Sequence, residues 1–170
     1  VNKFTVSIWL YATATPSYTQ LVIAQYTQAG SDDFQFDMRH EGGSGKIVMY
    51  GWSGFAQVQG PRSAAALTLN EWVKVTAVIK GSASGTQITG AIYFNKDEQP
   101  GDFDGAGSGF TTTAATLVDL TIGARNLAGS NLNYAYLMDD VQIWNDELLT
   151  TCQIAKHYDS SFNQAPAVVF

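Results

Sequence analysis

Three sets of carboxylates in this sequence have a type and spacing that suit chemistry. Asp33, Asp37 and Glu41 recur in fours with Arg39 beside them, Asp102 and Asp104 flank Phe103 ahead of Gly105, and Asp139 interrupts the alternating run YAYLMDDVQIW. Glycoside cleavage requires two carboxylates on one face, one to protonate the leaving oxygen and one to attack or to activate water. Only Asp37 and Glu41 come near that arrangement, and nothing of the Glu-x-Asp-x-Glu type is present. Calcium instead collects about six to eight oxygens from carboxylates, carbonyls and water, which acidic glycine-rich loops supply. Asp102 and Asp104 are therefore candidate calcium ligands, although Ala106 and Thr113 stand where an EF-hand would place further ones. The alternation around Asp139 points its side chain inward, where a carboxylate must be answered by hydrogen-bond donors, a cation or a metal.

Other chemistries are poorly served. His40 and His157 are the two histidines; neither lies in a nucleophile motif, and both read as surface residues. The glycine clusters join strand to strand, not strand to helix, so no phosphate-cradling loop is present. Aromatic rings are a stronger signal, because sugars are recognised by stacking on ring faces while polar groups satisfy their hydroxyls. Strand parity puts Trp9, Tyr11, Asp37, Arg39, Tyr50, Trp52, Tyr93, Tyr136 and Trp144 on faces opposite the core. Trp52 sits in a Gly-Trp-Ser-Gly turn and reads as exposed, whereas Trp9 and Trp144 are as well explained by packing beneath loops or a helix.

Strands must position these groups. Phe4, Val6, Ile8 and Leu10 alternate with Thr5, Ser7, Trp9 and Tyr11, and Val73, Val75, Ala77 and Ile79 mark a similar strand over 72–80. Further strands are expected over 20–27, 33–39, 46–52, 55–59, 86–95, 117–124 and through the Asp139 segment, with 61–70 left as a connection. One short helix over 148–158 is expected, with Thr150 or Thr151 as its cap. About ten strands joined by turns predict an all-β, two-sheet antiparallel sandwich in one domain spanning 1–170. The tail over 165–170 reads as a last strand or an ordered arm.

Composition narrows the partners. A net charge of −6 with nine scattered Lys and Arg argues against nucleic acid. No apolar run is long enough for a membrane helix, so membrane insertion is not expected. Low charge and abundant glycine suit an exported β-protein. The lone Cys152 excludes an internal disulfide and reads as a buried small side chain. The chain begins within a strand, so upstream sequence is expected to exist.

The segments FTVSIWLY, LNEWVKVTAVIK, AIYFN with LTIGA, and YLMDDVQIWNDELL together resemble the concanavalin A-like lectin/glucanase superfamily, in particular its laminin-G-like jelly-roll domains. The strand that usually precedes FTVSIW is missing, and Val and Lys follow Trp72 where the family often has histidine. The resemblance implies a jelly roll, and it implies a structural calcium near the Asp of the closing strand, here Asp139. Three functions follow in order of expectation. The first is an extracellular or cell-surface, non-catalytic module for a polysaccharide or glycan or for adhesion. The second is a structural subunit of a filament or matrix, meeting other protein chains through open sheet edges and the C-terminal arm. The third is a polysaccharide-degrading enzyme, which needs Asp37 and Glu41 in one cleft.

Overall fold

The computed structural model describes residues 3–26, 36–53, 56–81, 88–101, 119–123, 126–127, 130–131 and 135–162. Its strands are β1 (Lys3–Tyr11), β2 (Gln20–Tyr26), β3 (Phe36–His40), β4 (Lys46–Ser53), β5 (Ala56–Ala66), β6 (Trp72–Gly81), β7 (Ile88–Phe94), β8 (Asp97–Glu98), β9 (Asp119–Ile122), β10 (Asn126–Leu127), β11 (Ser130–Asn131) and β12 (Leu137–Asn145), followed by α1 (Thr151–Phe162). Two antiparallel five-stranded sheets carry the fold, ordered β12-β1-β6-β7-β8 and β5-β4-β3-β2-β9, beside a small β10-β11 ribbon. This is the expected sandwich.

The core forms where period-two patterns from both sheets meet. Phe4, Val6, Ile8 and Leu10 lie directly across from Ile79, Ala77, Val75 and Val73. They pack against Val22, Ile23, Phe36, Met38, Ile47 and Met49 of the other sheet. The Phe4 and Phe36 rings approach to 4.4 Å across the interior. Burial of this apolar area, at about 25 cal/mol per Å², is the main force holding the sheets together.

Two sequence readings fail on local geometry. The stretch over 61–66 is no connection but part of β5, paired to β4 through two register shifts. Pro61 is tolerated there because β5 is an edge strand among the described residues, so its missing N–H breaks no ladder. In β12 a bulge lies between the pairs Ser7↔Gln142 and Trp9↔Asp139, with Asp140 at φ 47°. That extra residue inverts the parity. Val141 packs on the core as expected, but on the other side of the bulge Tyr136 and Met138 do so, while Leu137 and Asp139 point out. Asp139 is exposed, which corrects its inward assignment, and Tyr136 faces the core instead of solvent.

Helix α1 starts at a capping box. Gln153 N–H donates to Thr150 Oγ1, and Thr150 N–H donates to Gln153 Oε1 at 2.8 Å. Thr150 is thus the cap, and the helix runs four residues beyond its expected end. The exposed Cys152 lies in the first turn, not in the core. Thr5 fixes the approach to the helix, its hydroxyl donating to Glu147 O and accepting from Leu149 N–H.

One glycine is demanded by close approach. A Cβ on Gly90, in the middle of β7, would stand 2.0 Å from the Val78 carbonyl oxygen. Gly90→Ala is expected to cost about 1–3 kcal/mol, the usual range for forced overpacking, measured by urea unfolding. A loss below about 0.5 kcal/mol, the scatter of neutral surface changes, would show that the β6–β7 ladder yields freely.

Candidate functional site

On the β5-β4-β3-β2-β9 sheet, the face opposite the core carries a compact polar cluster. Asp37 and Tyr50 are cross-strand partners, and Arg39 lies across from Val48, which in turn lies across from Arg62. Arg39 grips Asp37 with both ends of its guanidinium, Nε to Oδ1 at 2.9 Å and an outer nitrogen to Oδ2 at 2.6 Å. The same guanidinium lies 4.3 Å from the centre of the Tyr50 ring, a cation–π contact. Glu41, just past β3, accepts two bonds from Arg62 at 2.8 and 2.6 Å and a third from Ser44 Oγ.

Both carboxylates are therefore committed to arginines. Asp37 is fully buried, while Arg39, Glu41, Tyr50 and Arg62 remain partly exposed. Burial pushes the Tyr50 phenol above its usual range, with Arg39 opposing, so Tyr50 stays a neutral donor. The result is a charge-balanced surface whose donors are held in fixed directions by their own ion pairs. Such a surface can satisfy hydroxyl groups without rearranging. Trp52 shares β4 with Tyr50; only its backbone is described.

The aromatic residues expected on the other sheet have a different fate. Trp9 and Tyr93 do lie opposite the core, but α1 covers that face, and they are 1% and 7% exposed. Trp9 packs on Tyr158 at 5.7 Å, Trp144 meets the edge of His157 at 5.0 Å, and Tyr93 joins Leu149 and Ile154. The Tyr93 hydroxyl donates to Glu98 Oε2 at 3.2 Å. Tyr11 is buried against Trp72, ring centres 5.6 Å apart. The expected open faces of Trp9, Tyr11 and Tyr93 are corrected accordingly. A bare outer sheet surface would leave Trp9 and Tyr93 wet; α1 removes them from water with its own Ile154 and Tyr158.

Sequence reasoning missed two buried polar residues. His40 is not at the surface but fully buried, its Nε2 3.2 Å from the Gly45 carbonyl and its ring near Tyr136. Its parity with Phe36 and Met38 already pointed it inward. Lys74, the cross-strand neighbour of Trp9, is 1% exposed and donates to Ser161 Oγ at 2.7 Å and toward Asp140 Oδ2 at 3.4 Å. Burial pulls its ammonium below the usual lysine range, and Asp140 pulls it back up.

Calcium can be weighed against this geometry. Asp139 stands alone at the surface, and both oxygens of its neighbour Asp140 accept from Gln142 Nε2 while Lys74 already faces them with positive charge. Among the described residues no three acidic, histidine or cysteine side chains gather at one point. The described side chains around Asp139 thus do not fit a calcium shell. Asp102 and Asp104 lie outside the described residues. Among those residues, too, no helix is long and apolar enough to cross a membrane.

Residues 1–155 match the family described as the Concanavalin A-like lectin/glucanases superfamily. No curated protein sequence matches the chain. Similar solved structures include a native heptameric SAP-like pentraxin from Limulus polyphemus, 18% identical with a TM-score of 0.57 over 91% of this chain and 69% of the pentraxin. The CBM40 of Ruminococcus gnavus IT-sialidase, bound to α2,3-sialyllactose, is 15% identical with a TM-score of 0.58, covering 93% of this chain and 83% of that one. The Trypanosoma rangeli sialidase is 16% identical with a TM-score of 0.59 over 94% of this chain, which spans only 23% of that enzyme. At these identities the likeness is one of fold.

Proposed function

Because the chain belongs to the concanavalin A-like lectin/glucanase superfamily, we propose that it is a non-catalytic carbohydrate-binding module. The glycan meets Arg39, Glu41, Tyr50 and Arg62 on the outer face of the helix-free sheet. One observation carries this reading: a bidentate Arg39–Asp37 pair, an Arg62 guanidinium with two nitrogens on one Glu41 oxygen, and a tyrosine ring form a single, partly exposed, charge-balanced surface. The same pairs argue against catalysis. Asp37 is buried with both oxygens on Arg39, and Glu41 holds Arg62 and Ser44 through one oxygen, so the two do not stand as an open acid and base beside one cleft. A fold neighbour bound to sialyllactose supports the ligand class, and the low charge and export-like composition support work outside the cell or at its surface.

A glycan array followed by calorimetry on the best ligand tests the proposal. Tyr50→Ala and Arg62→Ala are each expected to weaken binding about tenfold or more, the equivalent of roughly 1.4 kcal/mol. Circular dichroism should show the fold intact in both. Absence of binding to every glycan, or full binding by both variants, would defeat the reading.

A second reading, assembly through sheet edges, is favoured by one feature. Among the described residues β12 and β9 end their sheets, and they expose Leu137, Ile143, Leu120 and Ile122, all at least 39% accessible. An edge with apolar side chains invites a strand from a neighbour. Light scattering of the purified chain decides it, since a monomer at high concentration removes the support. The tail over 165–170 lies outside the described residues.

A further inference from the structure

The ion pairs on the outer face of the helix-free sheet leave particular valences unused. Glu41 Oε2 takes all the hydrogen bonds made to that carboxylate, from Arg62 Nε at 2.8 Å, Arg62 Nη2 at 2.6 Å and Ser44 Oγ at 2.8 Å. Glu41 Oε1 accepts nothing among the described residues, and among them Arg62 Nη1 and the Tyr50 hydroxyl are unengaged as well. These side chains reach the surface: Glu41 is 18% and Arg62 26% accessible, and Tyr50 is partly exposed. They are also held still. Glu41 N–H donates to Lys46 O at 2.8 Å, Gly45 N–H donates to Glu41 O at 3.0 Å, and the His40 ring meets Gly45 O beneath the same turn. Groups fixed in this way lose little freedom when a ligand arrives.

A carboxylate oxygen that accepts, beside a guanidinium nitrogen that donates, matches two neighbouring hydroxyls, one giving its hydrogen and the other taking one. The charge on the patch then selects among sugars. Arg39 and Arg62 stand against Asp37 and Glu41, and the Tyr50 phenol feels all of them. A ligand carboxylate, sulfate or phosphate that reaches Arg62 Nη1 meets the charge of Glu41, which already lies 2.6 Å from the same guanidinium. Attraction and repulsion oppose each other there, and the anion still gives up its water. A hydroxyl brings no charge and escapes both penalties.

Resting on the carbohydrate reading of this patch, we propose that its ligand is a neutral saccharide with two adjacent free hydroxyls, and that Glu41 is the residue that sets this class. One hydroxyl donates to Glu41 Oε1, its neighbour accepts from Arg62 Nη1, and the Tyr50 hydroxyl serves a further oxygen of the same ligand. Sialic acids, uronates and sulfated sugars are turned away because Glu41 opposes their charge. Specificity of this kind comes from a repulsive element as much as from the attractive ones.

Calorimetry on the whole chain with cellotriose, maltotriose, xylotriose, arabinotriose, sialyllactose and trigalacturonate tests this. At least one neutral sugar is expected to bind about tenfold or more tighter than either acid. Glu41→Gln keeps a side-chain oxygen for Arg62 and nearly the same shape but removes the charge. It should weaken the neutral sugar about fivefold and strengthen the acids by a similar factor, with the circular dichroism spectrum unchanged. Full O-methylation of the preferred neutral sugar removes every hydroxyl hydrogen while keeping the oxygens, and this probe, which needs no variant, should bind about tenfold more weakly or worse. An acid bound by the parent chain as tightly as the best neutral sugar, an acid-to-neutral ratio unmoved in Glu41→Gln, or undiminished binding of the methylated sugar would each overturn the neutral class. If that binding is still lost in Tyr50→Ala, the patch survives as a glycan site and only its class falls. No binding of any sugar would remove both.

Discussion

Trp9→Ala is expected to cost the fold about 3–5 kcal/mol, the range for truncating a buried aromatic side chain to alanine. Total stability of a domain is about 5–15 kcal/mol, so this one change would bring the chain close to unfolding. Trp9 is 1% exposed and serves three neighbours at once. Its ring meets Tyr158 of α1, it lies beneath the Lys74 ammonium at 5.7 Å, and its strand pairs with β6 and β12. Removing it leaves a cavity that the sheet cannot close, because the backbone on either side is fixed by ladder bonds. It also strips the far half of α1 of its main apolar contact, while Leu149, Ile154 and Tyr93 still hold the first turns. Urea unfolding with a probe of limited proteolysis is the measurement. The expected result is a lowered midpoint with cleavage beginning near Tyr158. Trp9→Phe, which keeps one ring for Tyr158 but deletes the other, should lose less than Trp9→Ala, because it leaves a smaller cavity. A loss under 1 kcal/mol in Trp9→Ala would mean that α1 is held by its first turns alone.

This residue also shows where sequence stops being informative. The alternation in β1 and β6 assigns Trp9 to the non-core side correctly, since a period of two is all that a regular strand needs. What that side meets is a tertiary matter. The clue lay in the helix, where Ile154, Tyr158 and Ser161 share a face that had to dock on something, and the sheet surface bearing Trp9, Tyr93 and Trp144 was the apolar area to receive it. The outer face of the other sheet gave the opposite outcome. There Arg39 and Tyr50 did reach a partly open surface, but Asp37 beside them was buried beneath its own ion pair.

The closing strand failed for a different reason. A bulge adds one residue without any composition signal, and every side chain beyond it changes face. Alternation continued from Val141 through Asp140 points Asp139 inward, but the positive φ of Asp140 marks the break that turns it out. In β5 the absence of alternation was real. An edge strand with two register shifts and a proline has no reason to alternate, so the stretch looked like a connection.

Acidification from pH 7 to pH 4 is expected to remove about 3 kcal/mol of stability through His40 alone. The folded protein holds this imidazole near a pKa of about 4, down from 6.5, because burial disfavours the cation more than the Gly45 carbonyl favours it. Between these two values the unfolded chain binds a proton that the native state refuses, and each unit of difference is worth about 1.36 kcal/mol. Stability from this group is therefore complete above pH 6.5, declines as the pH falls toward 4, and is flat below. The neutral tautomer with hydrogen on Nε2 donates to Gly45 O, so protonation gains no new partner on that side while the charge enters a face packed by Tyr136 and the core. His40→Gln retains an N–H donor for Gly45 and cannot titrate. Its unfolding free energy, measured in urea at pH 7.5, 5.5 and 4, should fall less steeply than that of the parent across the same window. Carboxylates elsewhere titrate equally in both chains and cancel in the difference. Parallel decline of the two curves would show that the imidazole already shares its burial with water, and that the acid sensitivity of the sandwich arises at other groups.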